Sequence, residues 1–305
     1  MLSAVEAEVS KQPDALKLQA ERHLPEAPVG SLFVGAGDSL AAAGVASFLS
    51  PVDHVSLDPY QLISNPMRAK GRSVYFASVS GMTVSNLAAS KAVKGLAKER
   101  IAVTANERGR LVAATDSAIF IPYQVVPRLP GTLSFSLTLL TLLALAGCRP
   151  DCNFSKIHLQ ARGAVGKIEV PARGCTYLLG NGAAFPLAMY SASKLQEILG
   201  APAQAWMLEE FGHAGLFALG HRDAVNAFCA FDPLALAQRL VRSLKESGFT
   251  ASAIAPLGSN SCEQVFYLVF LSQYAALRKA KSDGLQRPHF ARARKKLAIS
   301  DSMIY

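Results

Sequence analysis

Residues 73–90 read SVYFASVSGMTVSNLAAS. After Ser73, the next four are apolar, aromatic or β-branched, the composition of a buried strand. From Thr83 onward the residues favour a helix, and the spacing predicts one over 83–99. Between the two lie Ser78, Ser80 and Thr83, grouped around Gly81. A helix N-terminus presents free N–H groups and a partial positive charge. Small hydroxyls add donors there without blocking approach, and glycine lets the backbone come close. Such a turn can seat an anion, with phosphate the usual guest. A plain N-cap at Ser80 or Thr83 accounts for the same residues.

The same rhythm extends in both directions. SLFVGAG (31–37) ends in glycines and precedes a helical run, with Ser39 at its start. DHVSLDP (53–59), RIAVTAN (100–106) and SAIFIPY (117–123) read as further strands, and 133–146 reads as a helix. Strands alternating with helices predict a parallel sheet covered on both faces. After a connection at 148–175 the pattern restarts. Gly35 and Gly37 are matched by Gly180 and Gly182 at a constant offset of 145. Strands at 224–231 and 252–257 and helices at 233–246 and 263–280 follow. The organisation expected is two similar α/β halves, 1–150 and 151–282, and a basic tail, 283–305.

Composition narrows the function classes. The chain has 305 residues, of which 50% are hydrophobic and 17% charged, so a large core is assured. The formal charge is +9. Between Arg278 and Lys296 there are eight basic residues and one acid, Asp283. A basic tail on a nearly neutral body argues against a whole-surface nucleic-acid binder. The N-terminus lacks the apolar core of a secretory signal. The longest apolar run, 133–147, is shorter than the roughly 20 residues a bilayer demands. Five cysteines, at 148, 152, 175, 229 and 262, form no zinc-ligand pattern. A cytoplasmic protein with reduced thiols, no metal and no membrane association is expected. No GxxxxGK[ST] occurs, and GAGDSLA lacks the third glycine of a dinucleotide fingerprint.

The order and spacing of GAGDS (35–39), SVSGMT (78–83), RIAVTAN and the duplicated half resemble the sugar isomerase (SIS) family. Within it, the isomerase portion of glucosamine-6-phosphate synthase is the nearest pattern. VEAEVSKQPDAL (5–16) resembles that portion's E-I-x-x-Q-P opening. GNGAAFPLAMYSASKLQEI (180–198) resembles its G-R-G-x-x-Y-P-x-A-x-E-G-A-L-K-L-K-E-I segment, and EEFGHAG (209–215) its G-E-L-x-H-G segment. The resemblance covers about residues 4–288.

It implies two SIS halves, each a flavodoxin-like α/β/α sandwich around a parallel sheet. It also implies a sugar-phosphate ligand whose phosphate is held by Ser39, Ser78, Ser80, Thr83 and the backbone amides from Val79 to Thr83. The family often has Gln where Val79 stands and Glu where Met82 stands. Glu197 falls at the proton-transferring carboxylate, Lys194 at the lysine near O1, and His213, sixteen residues after Glu197, at the ring-opening histidine. That histidine reaches across from a neighbouring subunit in the family, so a homodimer is implied. The implied activity is aldose–ketose isomerisation of a hexose or hexosamine 6-phosphate, with or without deamination at C2, and with no cofactor. A non-catalytic sugar-phosphate-binding regulator is the alternative.

By position alone, Lys194 and Glu197 are three apart on a helix, the spacing of a surface ion pair. A lone histidine is as well explained by capping or by the core. At the C-terminus, QRPHFARARKKLAISDSMIY (286–305) departs from the family's closing tail. Ala293 stands five residues past the proline, with Lys295 and Lys296 as the nearby amines. The chain has no counterpart of the family's glutamine-hydrolysing portion, so no ammonia is expected from glutamine.

Overall fold

Five consecutive side chains, Ser73 to Ala77, are buried, as a strand covered on both faces requires. They form the central strand of a five-stranded sheet in a computed structural model that describes residues 2–126, 128–148 and 151–305. The chain divides into two compact units. The first holds residues 15–150 and 293–305, the second residues 1–14 and 151–292. The cut expected at 150 falls beside residues 149 and 150, which lie outside the described residues. The ends of the chain are assigned crosswise: 1–14 and 283–292 count with the second half and 293–305 with the first.

In chain order the elements begin with α1 (Leu2–Ala20), β1 (Leu32–Gly35), α2 (Asp38–Leu49), β2 (Val55–Leu57) and α3 (Pro59–Ser64). They continue with β3 (Ser73–Ala77), α4 (Val84–Ala92), β4 (Glu99–Thr104), α5 (Arg110–Ala113), β5 (Ser117–Phe120) and α6 (Leu133–Leu145). The sheet order is β2-β1-β3-β4-β5, and all neighbours are parallel. This is the flavodoxin-like order, whose switch point lies between β1 and β3. Leu32, Val34, Val74, Phe76 and Ala102 on the strands pack with Leu62, Ala89, Val93 and Leu111. Helix α4 is shorter than the sequence pattern suggests. It ends at Ala92, and Gly95 follows in the left-handed region at φ 79°, a conformation that stops a helix and that glycine tolerates best.

The second unit contains α7 (Phe154–Gly163), β6 (Thr176–Leu179), α8 (Ala184–Leu199), β7 (Ala203–Trp206) and α9 (Leu208–His213). It continues through β8 (Ala224–Phe228), α10 (Leu236–Glu246), β9 (Thr250–Ile254), α11 (Ser261–Ser282) and α12 (His289–Arg292). Helix α13 (Arg294–Ile304) belongs to the first unit. The second sheet runs β7-β6-β8-β9, again parallel throughout. It repeats the first order without a fifth strand. The stretch expected as a plain connection contains α7. The Asn153 side chain caps it by accepting from Lys156 N–H at 3.0 Å, and Phe154 sets its ring edge-on to Phe266 of α11 at 5.1 Å.

The two glycine pairs have the same structural job. A Cβ added to Gly35 would lie 2.7 Å from the carbonyl carbon of Ser39, and one added to Gly180 would lie 2.6 Å from that of Ala184. Each strand end is therefore pressed against the first turn of its own helix. Gly37 and Gly182 both take positive φ, 56° and 53°. The offset of 145 that pairs the glycines also pairs Ser39 with Ala184. No helix among the described residues is long and apolar enough to cross a membrane.

Candidate functional site

The turn after β3 is built to leave donors unspent. Thr83 occupies the N-cap position of α4, but its side chain makes no capping bond. Its Oγ1 lies 3.0 Å from Ser78 Oγ. The first bond of the α4 ladder is Leu87 N–H to the Thr83 carbonyl, at 3.1 Å. The amides of Val84, Ser85 and Asn86 thus precede the ladder. Within the turn, Gly81 N–H returns to the Ser78 carbonyl at 2.9 Å, and Met82 N–H reaches Ser80 Oγ at 3.3 Å. Gly81 has φ 61°, which lets the chain reverse here without the penalty a side chain would bring.

The carbonyls of this turn have a different fate. Val79 C=O accepts from Ala105 N–H at 3.1 Å and from Thr104 Oγ1 at 3.2 Å. Ser80 C=O accepts from Asn106 Nδ2 at 2.9 Å. Gly81 C=O accepts from Leu111 N–H at 2.9 Å, and Met82 C=O from Arg110 Nη2 at 3.1 Å. Every carbonyl from 79 to 82 is held by the segment 104–111 that follows β4. The negative ends of four peptide dipoles are engaged on that side. What remains for a guest is the donor set: hydroxyls, amides and the α4 N-terminus. The two turns touch directly, since a Cβ on Gly109 would meet Gly81 Cα at 2.9 Å.

Ser39 sits in the first turn of α2, at the carboxyl end of β1, and is 9% exposed. Strand β1 pairs with β3, with Gly35 opposite Ala77. The Ser39 turn and the Ser78–Thr83 turn therefore leave adjacent strands at the same edge of the sheet. Arg110, Asn106 and Thr104 escaped the sequence reading. Their signal was available: RIAVTAN-ERGR is a third strand-to-helix junction at that edge, and Gly109 marks a close backbone approach.

Lys194 and Glu197 both lie on α8 in the second unit. Lys194 Nζ donates to Glu197 Oε2 at 2.6 Å. The pair is not the surface pair that its spacing suggests: Lys194 is fully buried, and the Glu197 side chain is about one third exposed, at 35%. The ammonium also stands 5.1 Å from the centroid of the Tyr190 ring, within cation–π range. His213 ends α9 in the same unit. It is exposed and makes no hydrogen bond or ion pair among the described residues. Neither the cap nor the core explanation of this histidine fits that position. Lys295 and Lys296 are exposed on α13 and likewise make no such contact among the described residues. The tail reaches the neighbourhood of the 78–83 turn through a different group: Arg110 Nη2, bound to the Met82 carbonyl, also donates to the Tyr305 carbonyl, at 3.3 Å.

Among the described residues, no group of three or more His, Cys, Asp or Glu side chains could hold a metal ion. The geometry sets a donor-lined turn in one unit and an amine–carboxylate pair in the other.

No protein-family model matches the sequence, and no curated protein sequence does. Solved structures do match. A glucosamine-6-phosphate deaminase from Thermotoga maritima is 20% identical, with a TM-score of 0.72 over 93% of this chain and 97% of that one. A tagatose-6-phosphate ketose/aldose isomerase from Escherichia coli is 17% identical, with a TM-score of 0.72 over 94% and 96%. The C-terminal domain of glucosamine-fructose-6-phosphate aminotransferase from Francisella tularensis is 16% identical, with a TM-score of 0.66 over 90% and 96%. At these identities the likeness is one of fold. The chain has the two-sheet fold of these phosphosugar proteins along nearly its whole length.

Proposed function

We propose that this protein binds a hexose or hexosamine 6-phosphate and interconverts its aldose and ketose forms; where C2 carries an amine, water hydrolyses the resulting C2 imine to the ketone and releases ammonia. One observation carries the reading. All four carbonyls of 79–82 are consumed by the neighbouring turn, which leaves Ser39, Ser78, Ser80, Thr83 and the amides of 79–83 other than Gly81 and Met82 as a donor set with no carbonyl opposed to it. A phosphate dianion is the guest that such a set stabilises best. The Arg110 guanidinium, already bound to the turn through Met82, adds a fixed positive charge.

The chemistry follows from three needs of the reaction. His213 opens the sugar ring by moving a proton between O5 and O1. Glu197 carries a proton between C2 and C1. Lys194, held against Glu197, stabilises charge on O1 as the enediolate forms. A second copy of the chain would donate His213, whose exposed position and freedom from internal bonds suit a group that works across a subunit boundary. Lys295 and Lys296, on the tail helix, would add positive charge over the bound sugar. The solved proteins of like fold include a deaminase and a ketose/aldose isomerase of 6-phosphosugars, which supports the substrate class.

The test is proton–deuterium exchange followed by NMR, at C2 of glucose-, mannose- and glucosamine-6-phosphates and at C1 of fructose- and tagatose-6-phosphates. Exchange on one of them establishes the enediol and names the substrate together. Binding without exchange on any would favour the second reading, a regulator that senses sugar phosphate. The apolar side chains of Val79 and Met82 at the rim of the seat favour that alternative, since they make no polar contact to a sugar.

A further inference from the structure

A line of polar side chains crosses the apolar interior of the second unit and ends at Lys194. Gln12 and Gln273 have no exposed surface, and Tyr190 is 1% exposed. Gln12 Nε2 donates to Gln273 Oε1 at 2.6 Å. Gln273 Nε2 donates to the Tyr190 hydroxyl oxygen at 2.9 Å. The face of that tyrosine lies against the Lys194 ammonium, which in turn holds Glu197. Three helices supply the parts: α1, α11 and α8. The run Val265 to Leu271 of α11, which precedes Gln273, is buried throughout.

Packing does not account for this line. Two primary amides in an apolar core risk about 1–3 kcal/mol for each group left unpaired. Apolar residues of similar volume would stabilise the helices at least as well. The line makes physical sense as a brace. A lysine has a four-carbon flexible stem and rotatable donors, so its ammonium wanders unless something fixes it. An aromatic face fixes it only if the ring is itself fixed. Tyr190 stands four residues before Lys194 on α8, one helical turn away. Its hydroxyl is tied across the helix gap by Gln273, and Gln273 is tied by Gln12.

We infer that Gln12, Gln273 and Tyr190 are positioning residues that hold the Lys194 ammonium in place against the Glu197 carboxylate. The inference rests on the catalytic reading of Lys194 given above, yet the holding of the ammonium is measurable without any substrate. It also supplies a purpose for Gln12 in VSKQP, which the sequence alone left as a matched motif.

Two variants separate bracing from folding. Tyr190→Phe keeps the ring and removes the tied hydroxyl. The double variant Gln12→Leu/Gln273→Leu removes both amides together, so neither is left facing hydrocarbon. Lysine-selective proton–nitrogen NMR reads hydrogen exchange at Lys194 Nζ, assigned by its loss in Lys194→Met. Exchange should speed up about tenfold in both variants as the ring loosens. In the C2-exchange assay kcat should fall about tenfold, with KM changed by less than about twofold. Nζ exchange unaltered in Tyr190→Phe would overturn the inference, whatever the turnover. So would unaltered kcat in a folded double variant whose Lys194→Met counterpart is inactive. If the wild-type protein exchanges C2 on no sugar phosphate, the functional reading fails, and the Nζ comparison alone decides this one.

Discussion

The strand-to-helix turns after β3 and after β8 occupy the same place in their sheets, third in the order 2-1-3-4. They treat the start of the next helix in opposite ways. After β8 the chain reads CAFDPLA (229–235), and Asp232 Oδ2 accepts from Ala237 N–H at 2.8 Å. The second unit has filled its helix N-terminus with a carboxylate of its own. It also takes positive φ at two non-glycine residues, Phe231 and Ala235, at 57° and 52°. After β3 there is no acid between Ala77 and Glu99, the N-cap threonine does not cap, and glycine alone carries the positive φ. One helix start carries a carboxylate bond and the other, at Thr83, carries no side-chain cap. The duplicated glycines make the same contrast elsewhere, since Ser39 in the first half becomes Ala184 in the second. A fold repeated within one chain has repeated its packing, while the hydroxyl cluster and the uncapped helix start occur after β3 and not after β8.

The sharpest way to break this comparison is to make the first turn resemble the second. Thr83→Asp places a carboxylate where the phosphate is proposed to sit. Affinity for the substrate 6-phosphate, by calorimetry, should fall about 100-fold through like-charge repulsion, while the thermal midpoint holds or rises. Unchanged affinity would end the argument. A smaller effect is expected from Gly81→Ala. Its φ of 61° disfavours a side chain, and the new Cβ would lie 3.0 Å from Thr104 Oγ1 and 3.1 Å from Gly109 Cα. Urea unfolding should show a loss of about 1–3 kcal/mol, with phosphate affinity down about tenfold as the donor set shifts.

Removing the second unit's own carboxylate should do less. Asp232→Ala ought to cost about 1 kcal/mol of stability, the value of a helix cap, and to leave sugar-phosphate affinity where it was. A change in affinity would mean that the two turns are not independent.

A last comparison, read against pH, concerns the buried His54 and the half-buried His158, one in each unit. His54 lies against Phe33 with neither ring nitrogen hydrogen-bonded, and burial lowers its pKa from the ordinary 6.5, against the pull of Asp53. His158 is lowered mainly by burial too, but its Nε2 meets the Val9 carbonyl and the Tyr274 hydroxyl, each at 2.9 Å. A histidine that stays neutral when folded binds fewer protons than its unfolded counterpart just below pH 6.5. Its contribution is therefore complete above that pH and lost as the pH falls through the folded value. His54→Leu should flatten the stability–pH curve below pH 6.5 and cost little at pH 7.5. His158→Leu should also cost stability at pH 7.5, about 1–2 kcal/mol, because Val9 and Tyr274 lose a partner. Equal curves for the two variants would refute the distinction.

Much of this was legible from one dimension. Apolar strands ending in glycine or serine, followed by helical periods, specify parallel sheets, and the strands at 32–35, 73–77, 99–104, 176–179 and 224–228 stand where that pattern puts them. Less legible was β7, AQAW, an edge strand whose partial exposure removes the apolar signal. Helix α7 was hidden in a stretch whose flanking Cys, Pro, Arg and Gly residues look like linker. The end of α4 was placed too late because the apolar period continues past Gly95.

The hydroxyl cluster at 78–83 and the Lys194–Glu197 pair were both apparent as residue types at spacings. Sequence determines such local facts because they depend on neighbours a few positions away: periodicity, caps, glycine at a reversal. The tertiary structure decided the rest. It turned four carbonyls of one turn toward another turn some 25 residues later, and it sank Lys194 out of water. It also joined Gln12 to Gln273 across 261 positions. Burial and long-range hydrogen bonding are set by which surfaces meet, and no local pattern encodes which surfaces those will be.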